Sequence, residues 1–392
     1  MLIFFLIYQF PFFDPHNPWH LAVAASTLFY SGSLLAFALG LIRLKADRVG
    51  EQPFVSVVVA ARNEERHLEA LLGSLLAQEY PAYEVIVVND CSTDRTPEIL
   101  ADFQKRDARL KRVDVERLAD DLSPKQNALA LGVGAGRGEI LCLTDADCLP
   151  GPQWLASTVA CFSADVGIVA GYSPFSSAFL PTRRKLIQRT FDAFVRYEEF
   201  RKAVRSAAGA AFGKAWGCTG RNLAFRRAAF EEVGGYHGVP RSPSGDDMLL
   251  LQQIGKKTRW RFSYLVSPEN FVPTAPPESF GELLRQGIRQ AFGVRHFPRA
   301  MRLLLFLLFA SHLVVTAALI VAAFSPENRM LGVSAFAFKC GMDAVLLLSS
   351  AARFREWGLA ASFLLMEPLC LLYYACLLVL VVFKLKPVEW KP

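Results

Sequence analysis

Apolar residues follow two different patterns along this chain. Long, largely uncharged stretches occupy residues 20–42 near the start and residues 303–324, 331–351 and 359–383 toward the end. Each stretch is long enough to cross a hydrocarbon core of roughly 30 Å. Between them, short apolar runs alternate with segments of helical spacing. This pattern predicts an N-terminal membrane anchor at residues 1–48, a polar domain at 49–279 and a C-terminal transmembrane region at 303–392.

Basic residues next to the apolar stretches predict the orientation of the chain. Arg43, Lys45 and Arg48 follow the first stretch directly, which favours a cytoplasmic location for the polar domain of a multi-pass cell-membrane protein. Lys384 and Lys386 also favour the cytoplasm, although a third C-terminal crossing would place them outside. The side on which the chain ends, and the exact number of spans, therefore stay open.

Two further segments are amphipathic, at residues 183–205 and 280–302. In the first, Ile187, Phe191, Phe194 and Val195 fall on one helical stripe surrounded by basic residues. Such segments are typical of helices that lie on a lipid surface. We expect both helices to hold the polar domain against the membrane, and packing of the stripe into a core is the alternative.

The middle C-terminal stretch carries two charges, Lys339 and Asp343. Because they are four residues apart, they lie on the same face of a helix and can neutralise each other. A polar path through the membrane is the alternative interpretation.

The polar domain begins with an alternation of strands and helices. Predicted strands at residues 55–60, 84–88, 110–115 and 140–144 alternate with helical patterns at 64–78, 96–106 and 124–134. Strand, helix, strand predicts a parallel sheet of an α/β fold, and unbroken apolar runs predict strands covered on both faces. Ligands of such sheets bind beyond the carboxyl ends of the strands. Three polar clusters fall at these ends and should converge, namely Asn63-Glu64, Asn89-Asp90 and Asp145-Ala146-Asp147.

Composition narrows the class of protein. Hydrophobic residues make up 53% of the 392 residues, which is too apolar for an ordinary soluble protein. The net charge of +7 comes with no nucleic-acid-binding motif, so we expect membrane lipids rather than nucleic acid as the partner. The eight cysteines show no CxxC spacing, so disulfides and a zinc site are not expected. The glycines between 132 and 138 do not match a dinucleotide fingerprint, and there is no Walker loop.

The pair Asp145 and Asp147 is the first candidate for chemistry. In an extended segment, residues two apart point the same way, so both carboxylates can reach one site. Hard cations such as Mg²⁺ or Mn²⁺ prefer carboxylate oxygens, and a bound cation can hold a diphosphate. A plain turn before Pro150 is the alternative.

The order of seven motifs resembles the family-two inverting glycosyltransferases, which include cellulose and hyaluronan synthases and many lipid glycosyltransferases. The matching segments are VSVVVAARNE at 55–64, VVNDCSTD at 87–94, KQNAL at 125–129, TDAD at 144–147, GCTGRN at 217–222, SGDD at 244–247 and QGIR at 286–289. The resemblance implies a GT-A (Rossmann-like) α/β domain with a mixed, mainly parallel sheet. It also implies a nucleotide-sugar donor and a divalent metal ion.

The resemblance also assigns roles to the residues that bind the donor. Asp90, with Glu64 beside it, corresponds to the nucleotide-recognition pair, and Lys125 corresponds to a basic residue near the donor phosphate. Asp145 would lie against the nucleotide, and Asp147 would ligate the metal. A strand-end turn for Asp90 and a solvated helix face for Lys125 are the alternatives.

Inversion requires a base that accepts the proton of the attacking hydroxyl. Asp247 corresponds to the second member of the family's acidic pair and is our candidate, with Asp246 as the second choice. Here Asp246 replaces the family's usual Glu, and capping of the following helix is the alternative role. Residues that the resemblance places around the acceptor or diphosphate are Cys218, Gly220, Asn222, Gln286 and Arg289.

Gln290 stands where processive members of the family carry a tryptophan that stacks on the acceptor sugar. Its absence favours transfer of a single sugar, from a donor that we expect to be a UDP-sugar, to a lipid or lipid-linked acceptor. A processive polysaccharide synthase that secretes its product through the transmembrane helices is the alternative. A non-catalytic membrane scaffold or transporter is a third interpretation.

Overall fold

The computed structural model describes residues 13–44, 50–180, 185–213, 217–241, 245–294 and 297–382. Several predicted segments therefore extend beyond the described residues. These are residues 1–12 and 45–48 of the predicted anchor, residues 183–184 of the first amphipathic segment, residues 295–296 of the second, and residues 383–392 of the C-terminal region.

The polar domain alternates strands and helices as its apolar pattern predicts. The elements of its first half are β1 (Val55–Ala61), α2 (Leu68–Leu76), β2 (Tyr83–Asn89), α3 (Thr96–Arg106), β3 (Leu110–Asp114), α4 (Pro124–Ala135) and β4 (Ile140–Leu143). The predicted helix at 64–78 is shorter, because residues 64–67 form a turn in which Leu68 N donates to Glu64 O. The strand before the Asp pair ends at Leu143, so Asp145 and Asp147 lie in the loop that follows it.

The second half of the domain adds three more strands. Its elements are α5 (Trp154–Val159), β5 (Val166–Gly171), α6 (Leu186–Ala211), β6 (Leu223–Arg226), α7 (Arg227–Glu232), α8 (Asp246–Lys257) and β7 (Arg261–Leu265). The seven strands form one sheet in the order β3-β2-β1-β4-β6-β5-β7. β6 is antiparallel to both neighbours, and the other pairs are parallel. The sheet is therefore mixed and mainly parallel, as the resemblance implies.

Alternate residues of β1 belong to two separate cores. Val57 and Val59 pack with α2, α3 and α5 on one face of the sheet. Val58 and Ala60 belong to the larger core on the other face, which includes α4, α6 and the long apolar helices. Because both faces are covered, every residue of β1 is buried. The sheet thus connects the polar domain directly to the helices of the apolar regions.

In the described part of the chain, four helices are long and apolar enough to cross a membrane: Pro18–Arg43, Arg299–Phe324, Arg329–Phe354 and Phe363–Leu380. The first is α1, which begins where Asn17 accepts from Trp19 N and Pro18 occupies the first turn. The next elements are α9 (Phe280–Gly293), α10 (Arg299–Phe324), α11 (Arg329–Phe354), α12 (Trp357–Ala361) and α13 (Phe363–Val382). The second predicted amphipathic segment is thus α9 together with the start of α10.

Helix α6 covers the first predicted amphipathic segment. Phe194 and Val195 are buried in the larger core, whereas Leu186 and Ile187 at the start of the helix are exposed. Most of the apolar stripe therefore packs into the core, which is the alternative considered from the sequence. A lipid-surface position for the exposed first turn remains a prediction.

The charges predicted inside the C-terminal helices are paired. Lys339 Nζ lies 2.7 Å from Asp343 Oδ2, which confirms the predicted pair, and 2.8 Å from Glu367 Oε2 of α13. Tyr30 of α1 donates to Asp343 at 2.9 Å, and Arg201 of α6 lies 3.4 Å from Glu367. Charged residues of three helices and the hydroxyl of Tyr30 from a fourth therefore form one buried cluster, which the sequence spacing predicts only for Lys339 and Asp343.

Candidate active site

A cavity of about 890 Å³ lies at the carboxyl ends of β1 and β4 and continues between the apolar helices. All but two of the residues predicted to form the site line it. Those brought together are Glu64, Lys125, Asp145, Asp147, Cys218, Gly220, Asp246, Asp247, Gln286 and Arg289. Asp90 and Asn222 are not among the lining residues.

Lys125 and Asp145 form an ion pair across the cavity edge. Lys125 is held by the first turn of α4, where Ser123 and Gln126 form a reciprocal cap and Pro124 fixes the backbone. Its Nζ lies 2.8 Å from Asp145 Oδ1. Burial acts to lower the pKa of Lys125, but Asp145, Asp246 and Asp247 together raise it above its usual value. The lysine is therefore a fixed positive charge among carboxylates, and not a solvated residue on a helix face.

Asp147 has no cation within ion-pair distance among the residues that the structure describes. Burial raises its pKa, the negative charge of Asp145 raises it further, and Arg221 opposes both effects. A nearby positive charge would favour the ionised form of such a carboxyl group. A bound cation would therefore stabilise the ionised form of Asp147.

Asp246 and Asp247 lie at the start of α8, after Gly245 with its left-handed φ of 86°. Asp247 accepts hydrogen bonds from the backbone N–H groups of Met248 and Gly220, so it is tied to the loop that carries Cys218. Asp246 is 4% exposed, and its Oδ1 has no hydrogen-bond partner. Burial raises the pKa of Asp246 to about 7 and also raises the pKa of Asp247, with Lys125 opposing both shifts.

Asp90 and Glu64 belong to two loops that are bonded to each other. Asn63, with φ of 54°, accepts from Thr93 N at 2.8 Å, and Glu64 N donates to Thr96 Oγ1 at 2.8 Å. Asp90 is 4% exposed and lies 3.5 Å from Arg62. Burial raises its pKa, while Arg62 opposes the shift. Glu64 thus lines the cavity, whereas Asp90 does not.

Asn222 does not line the cavity, in contrast to the acceptor-site role that the resemblance implies. It is 2% exposed and donates to Tyr172 O at 3.0 Å and Asn270 O at 2.8 Å. Its Oδ1 accepts from Trp154 Nε1 at 3.0 Å. The Asn222 side chain makes these hydrogen bonds inside the domain, so it contributes to the site by fixing the loop that carries Gly220.

Arg221 is a cavity residue to which the sequence analysis assigns no role. It pairs with Glu199 of α6, donates to Thr219 Oγ1 at 3.0 Å and lies 4.9 Å over the ring of Phe175. The sequence could have indicated Arg221 as a site residue only through its position within the GCTGRN segment, because its contacts Glu199 and Phe175 lie far from it along the chain. The guanidinium is therefore held rigidly at the cavity wall.

Gln286 and Arg289 reach the cavity from α9, which begins where Ser279 Oγ accepts from Glu282 N at 3.2 Å. Burial lowers the pKa of Arg289 from its usual value. The two residues are therefore cavity residues rather than part of a solvated helix face.

Comparisons with known proteins agree with this fold. Residues 56–234 match the family model Glycosyl transferase family 2. The structure of mannosyltransferase PcManGT from Pyrobaculum calidifontis, in complex with GDP-Man and Mn²⁺, is similar with a TM-score of 0.57. That likeness covers 86% of this chain and 99% of the other at 22% identity, so it shows the fold alone.

Curated relatives include glycosyltransferases. The beta-monoglucosyldiacylglycerol synthase of Nostoc sp. (strain PCC 7120) is 39% identical over 123 residues, which are 31% of this chain and 26% of that protein. Glycosyltransferase AglE of Haloferax volcanii is 33% identical over 127 residues, which are 32% of this chain and 40% of that protein. The chain thus spans well under half the length of these relatives. It carries a glycosyltransferase family 2 domain of the GT-A fold, which confirms the resemblance inferred from the motifs.

Proposed function

We propose that this protein is a membrane-embedded, metal-dependent inverting glycosyltransferase that moves one sugar from a UDP-sugar to a lipid or lipid-linked acceptor. The observation that carries the proposal is the shared cavity: Asp145, Asp147 and Asp247 line it, and it continues between apolar helices. A donor diphosphate and an amphiphilic acceptor can therefore meet in one space. The similarity to the Nostoc beta-monoglucosyldiacylglycerol synthase supports a lipid acceptor, and the GDP-Man and Mn²⁺ of the Pyrobaculum structure support a nucleotide-sugar donor and a metal.

The residues present fit a partly open Mg²⁺ or Mn²⁺ site. No cluster of three or more His, Cys, Asp or Glu residues in the described part of the chain forms a ready metal site. Asp147 and Asp145 would therefore supply only part of the coordination, which suits an ion that also takes diphosphate oxygens. When bound, the ion would stabilise the charge that develops on the departing diphosphate.

The remaining steps belong to side chains of the chain itself. Asp247, held by the N–H groups of Gly220 and Met248, would accept the proton of the acceptor hydroxyl as its oxygen attacks the anomeric carbon. Lys125 orients Asp145 through their ion pair. Arg289 and Gln286 would contact the diphosphate or the acceptor from α9. Glu64 would bind the nucleotide from the cavity wall. Asp90 does not line the cavity, so it would contribute to nucleotide recognition indirectly.

Purified protein tests the proposal directly. With Mn²⁺, a panel of UDP-sugars and membrane lipids, we expect UDP release together with a glycosylated lipid detected by mass spectrometry. Asp247→Asn should reduce the rate by a factor on the order of 10² to 10⁴, as expected for loss of a general base. Full activity of Asp247→Asn would show that Asp247 is not the base. Asp246→Asn would then be measured in the same assay.

A processive polysaccharide synthase is the second candidate, because a cavity that enters the helix bundle also suits a growing chain. Product size separates the two functions. Products that carry a single sugar support the proposed transfer, whereas long polymer made by purified protein would contradict it.

A further inference from the structure

Tyr236 lines the cavity, although it lies outside the seven motifs. It belongs to the short 3₁₀ helix Gly235–Gly238, which contacts both α4 and α8. Its ring packs edge-on against Phe230 of α7, with the ring centroids 5.3 Å apart. Gln126 of α4 donates to Pro240 O at 3.1 Å and ties the segment after the 3₁₀ helix to α4. The Tyr236 ring is therefore held in one place at the cavity wall.

The hydroxyl of Tyr236 and one carboxyl oxygen of Asp246 have no hydrogen-bond partner in the described part of the chain. Tyr236 is 1% exposed and Asp246 is 4% exposed, yet both residues line the cavity. Buried polar atoms are normally paired, because an unpaired one loses its hydrogen bonds to water without replacement. Tyr236 Oη and Asp246 Oδ1 therefore point to a ligand that brings hydrogen-bonding groups into the cavity.

Electrostatic effects place the Tyr236 hydroxyl among the carboxylates of the donor end. Burial raises the pKa of Tyr236 well above its usual value, and the negative charges of Asp246 and Asp247 raise it further. Lys125 in turn opposes the raised pKa of both aspartates. Because interactions between charges weaken with distance, the hydroxyl lies near these aspartates and not between the apolar helices. Its raised pKa also keeps the hydroxyl protonated, so it can donate a hydrogen bond.

The proposed mechanism brings the transferred sugar to these groups. In an inverting transfer, the attacking oxygen and the leaving group are on opposite sides of the anomeric carbon. Asp247 is the proposed base on the attacking side, whereas Asp145 and Asp147 would hold the diphosphate on the other side. The sugar would therefore lie between these residues, in the part of the cavity that Tyr236 and Asp246 line. A sugar hydroxyl both donates and accepts, so one such group can bond to both side chains.

We infer that Tyr236 and Asp246 bind a hydroxyl group of the transferred sugar and so determine which donor is used. This inference rests on the proposed function. Tyr236 Oη donates to the sugar oxygen, and the sugar hydroxyl donates to Asp246 Oδ1. A donor without a hydroxyl group at that position would leave both buried groups unpaired, and a site of this kind discriminates strongly against such an analogue.

Binding measurements without a lipid acceptor test the inference separately from catalysis. Calorimetry with Mn²⁺ gives the Kd for UDP and for the UDP-sugar that the wild type transfers. Tyr236→Phe removes only the hydroxyl, so the ratio of the UDP-sugar Kd to the UDP Kd should rise about tenfold, the effect of losing one hydrogen bond. Tyr80→Phe is the matched control, because Tyr80 is also buried but donates to Pro53 O at 2.6 Å and does not line the cavity. It should leave the ratio unchanged.

Two variants of Asp246 separate hydrogen bonding from charge. Asp246→Leu has no hydrogen-bonding atom in its side chain, and should raise the same Kd ratio about tenfold. Asp246→Asn removes the charge but keeps the shape and a carbonyl oxygen, so it should raise the ratio less than Asp246→Leu does. Because no acceptor is present, neither result depends on which aspartate acts as the base.

Deoxy analogues of the active UDP-sugar, each lacking one hydroxyl group, identify the contact. One analogue should bind the wild type about tenfold more weakly than the parent, and this difference should be smaller in Tyr236→Phe, as expected for two groups in direct contact. An unchanged Kd ratio in either Tyr236→Phe or Asp246→Leu would overturn the inference but leave the proposed function intact, and so would equal losses for every analogue in Tyr236→Phe and wild type. A wild-type protein that neither binds nor transfers any UDP-sugar would overturn the proposed function.

Discussion

Lys125 Nζ lies 2.8 Å from Asp145 Oδ1, although one residue is in the first turn of α4 and the other follows β4. The pair joins two segments of the GT-A domain at the cavity edge. It also holds a positive charge at the place where the donor diphosphate would be bound. Asp145 is thereby oriented before any ligand arrives, which reduces the cost of ordering the site on binding.

Lys125→Met should weaken binding of UDP. The change removes the cation at the cavity edge and keeps most of the apolar side-chain length, so we expect the Kd for UDP with Mn²⁺ to rise about tenfold. Lys111→Met is the control, because Lys111 pairs with Glu84 at 2.7 Å and does not line the cavity. Calorimetry on both variants measures the effect. An unchanged Kd in Lys125→Met would contradict a role for this pair in donor binding.

Asp246 should make the stability of the protein depend on pH. Burial raises its pKa from 3.8 to about 7, so between these values the folded protein holds a proton that the unfolded chain has released. The free energy of unfolding therefore falls as pH rises through this window, by about 1.4 kcal/mol per pH unit. Because Asn does not ionise, the stability of Asp246→Asn relative to wild type should increase between pH 3.8 and about 7 and then level off.

Thermal unfolding in detergent at a series of pH values measures this difference. Asp165→Asn is the control, since Arg261 lowers the pKa of Asp165 to about 2. The stability that Asp165 contributes is present above pH 3.8 and is lost only as pH falls toward about 2. The difference in stability between Asp165→Asn and wild type should therefore stay constant between pH 3.8 and about 7, where the difference for Asp246→Asn changes. A constant difference for Asp246→Asn as well would contradict the raised pKa.

The metal requirement should depend on Asp147. Chelation with EDTA should stop sugar transfer, and added Mn²⁺ should restore it. Asp147→Asn removes a carboxylate that forms no ion pair with any described residue, so we expect the half-saturating Mn²⁺ concentration to rise at least tenfold. Asp165→Asn, on the exposed pair with Arg261, should leave that concentration unchanged. Equal Mn²⁺ dependence of both variants would place the metal elsewhere.

Most of the first half of the sheet could be predicted from the sequence because β1, β2 and β4 are buried along their whole length. Unbroken apolar runs such as Val85–Val88 are typical of covered parallel strands, and their alternation with helical spacing determines the parallel pairing. The strand β6 (Leu223–Arg226) is different. It is short, it follows a loop, and it becomes a central antiparallel strand only because β4 and β5 lie on either side of it. The local sequence pattern therefore does not predict where β6 lies in the sheet.

In the candidate site, too, some residues could be predicted from the sequence and others could not. Asp145, Asp147 and Asp247 could be selected because each belongs to a short motif next to a strand or helix end. The partners Arg201 and Glu367 could not, since they meet across 166 positions of sequence and each occurs in a segment that looks ordinary. Asn222 shows the opposite case, because a motif position predicted a site residue and the three-dimensional packing uses its side chain internally.

Close helix packing in the apolar bundle should depend on Gly332. A Cβ at this position would lie 2.2 Å from the backbone oxygen of Ala318 in α10, so α10 and α11 would have to separate. Small residues at such contacts allow helices to approach closely. Gly332→Ala should therefore destabilise the folded protein, by about 1–3 kcal/mol if the cost resembles that of overpacking a core. Gly341→Ala, in the same helix with nothing within 4 Å of the added Cβ, is the matched control and should be neutral or slightly stabilising. Thermal unfolding in detergent compares the two variants, and equal midpoints would show that α10 and α11 do not need this close contact.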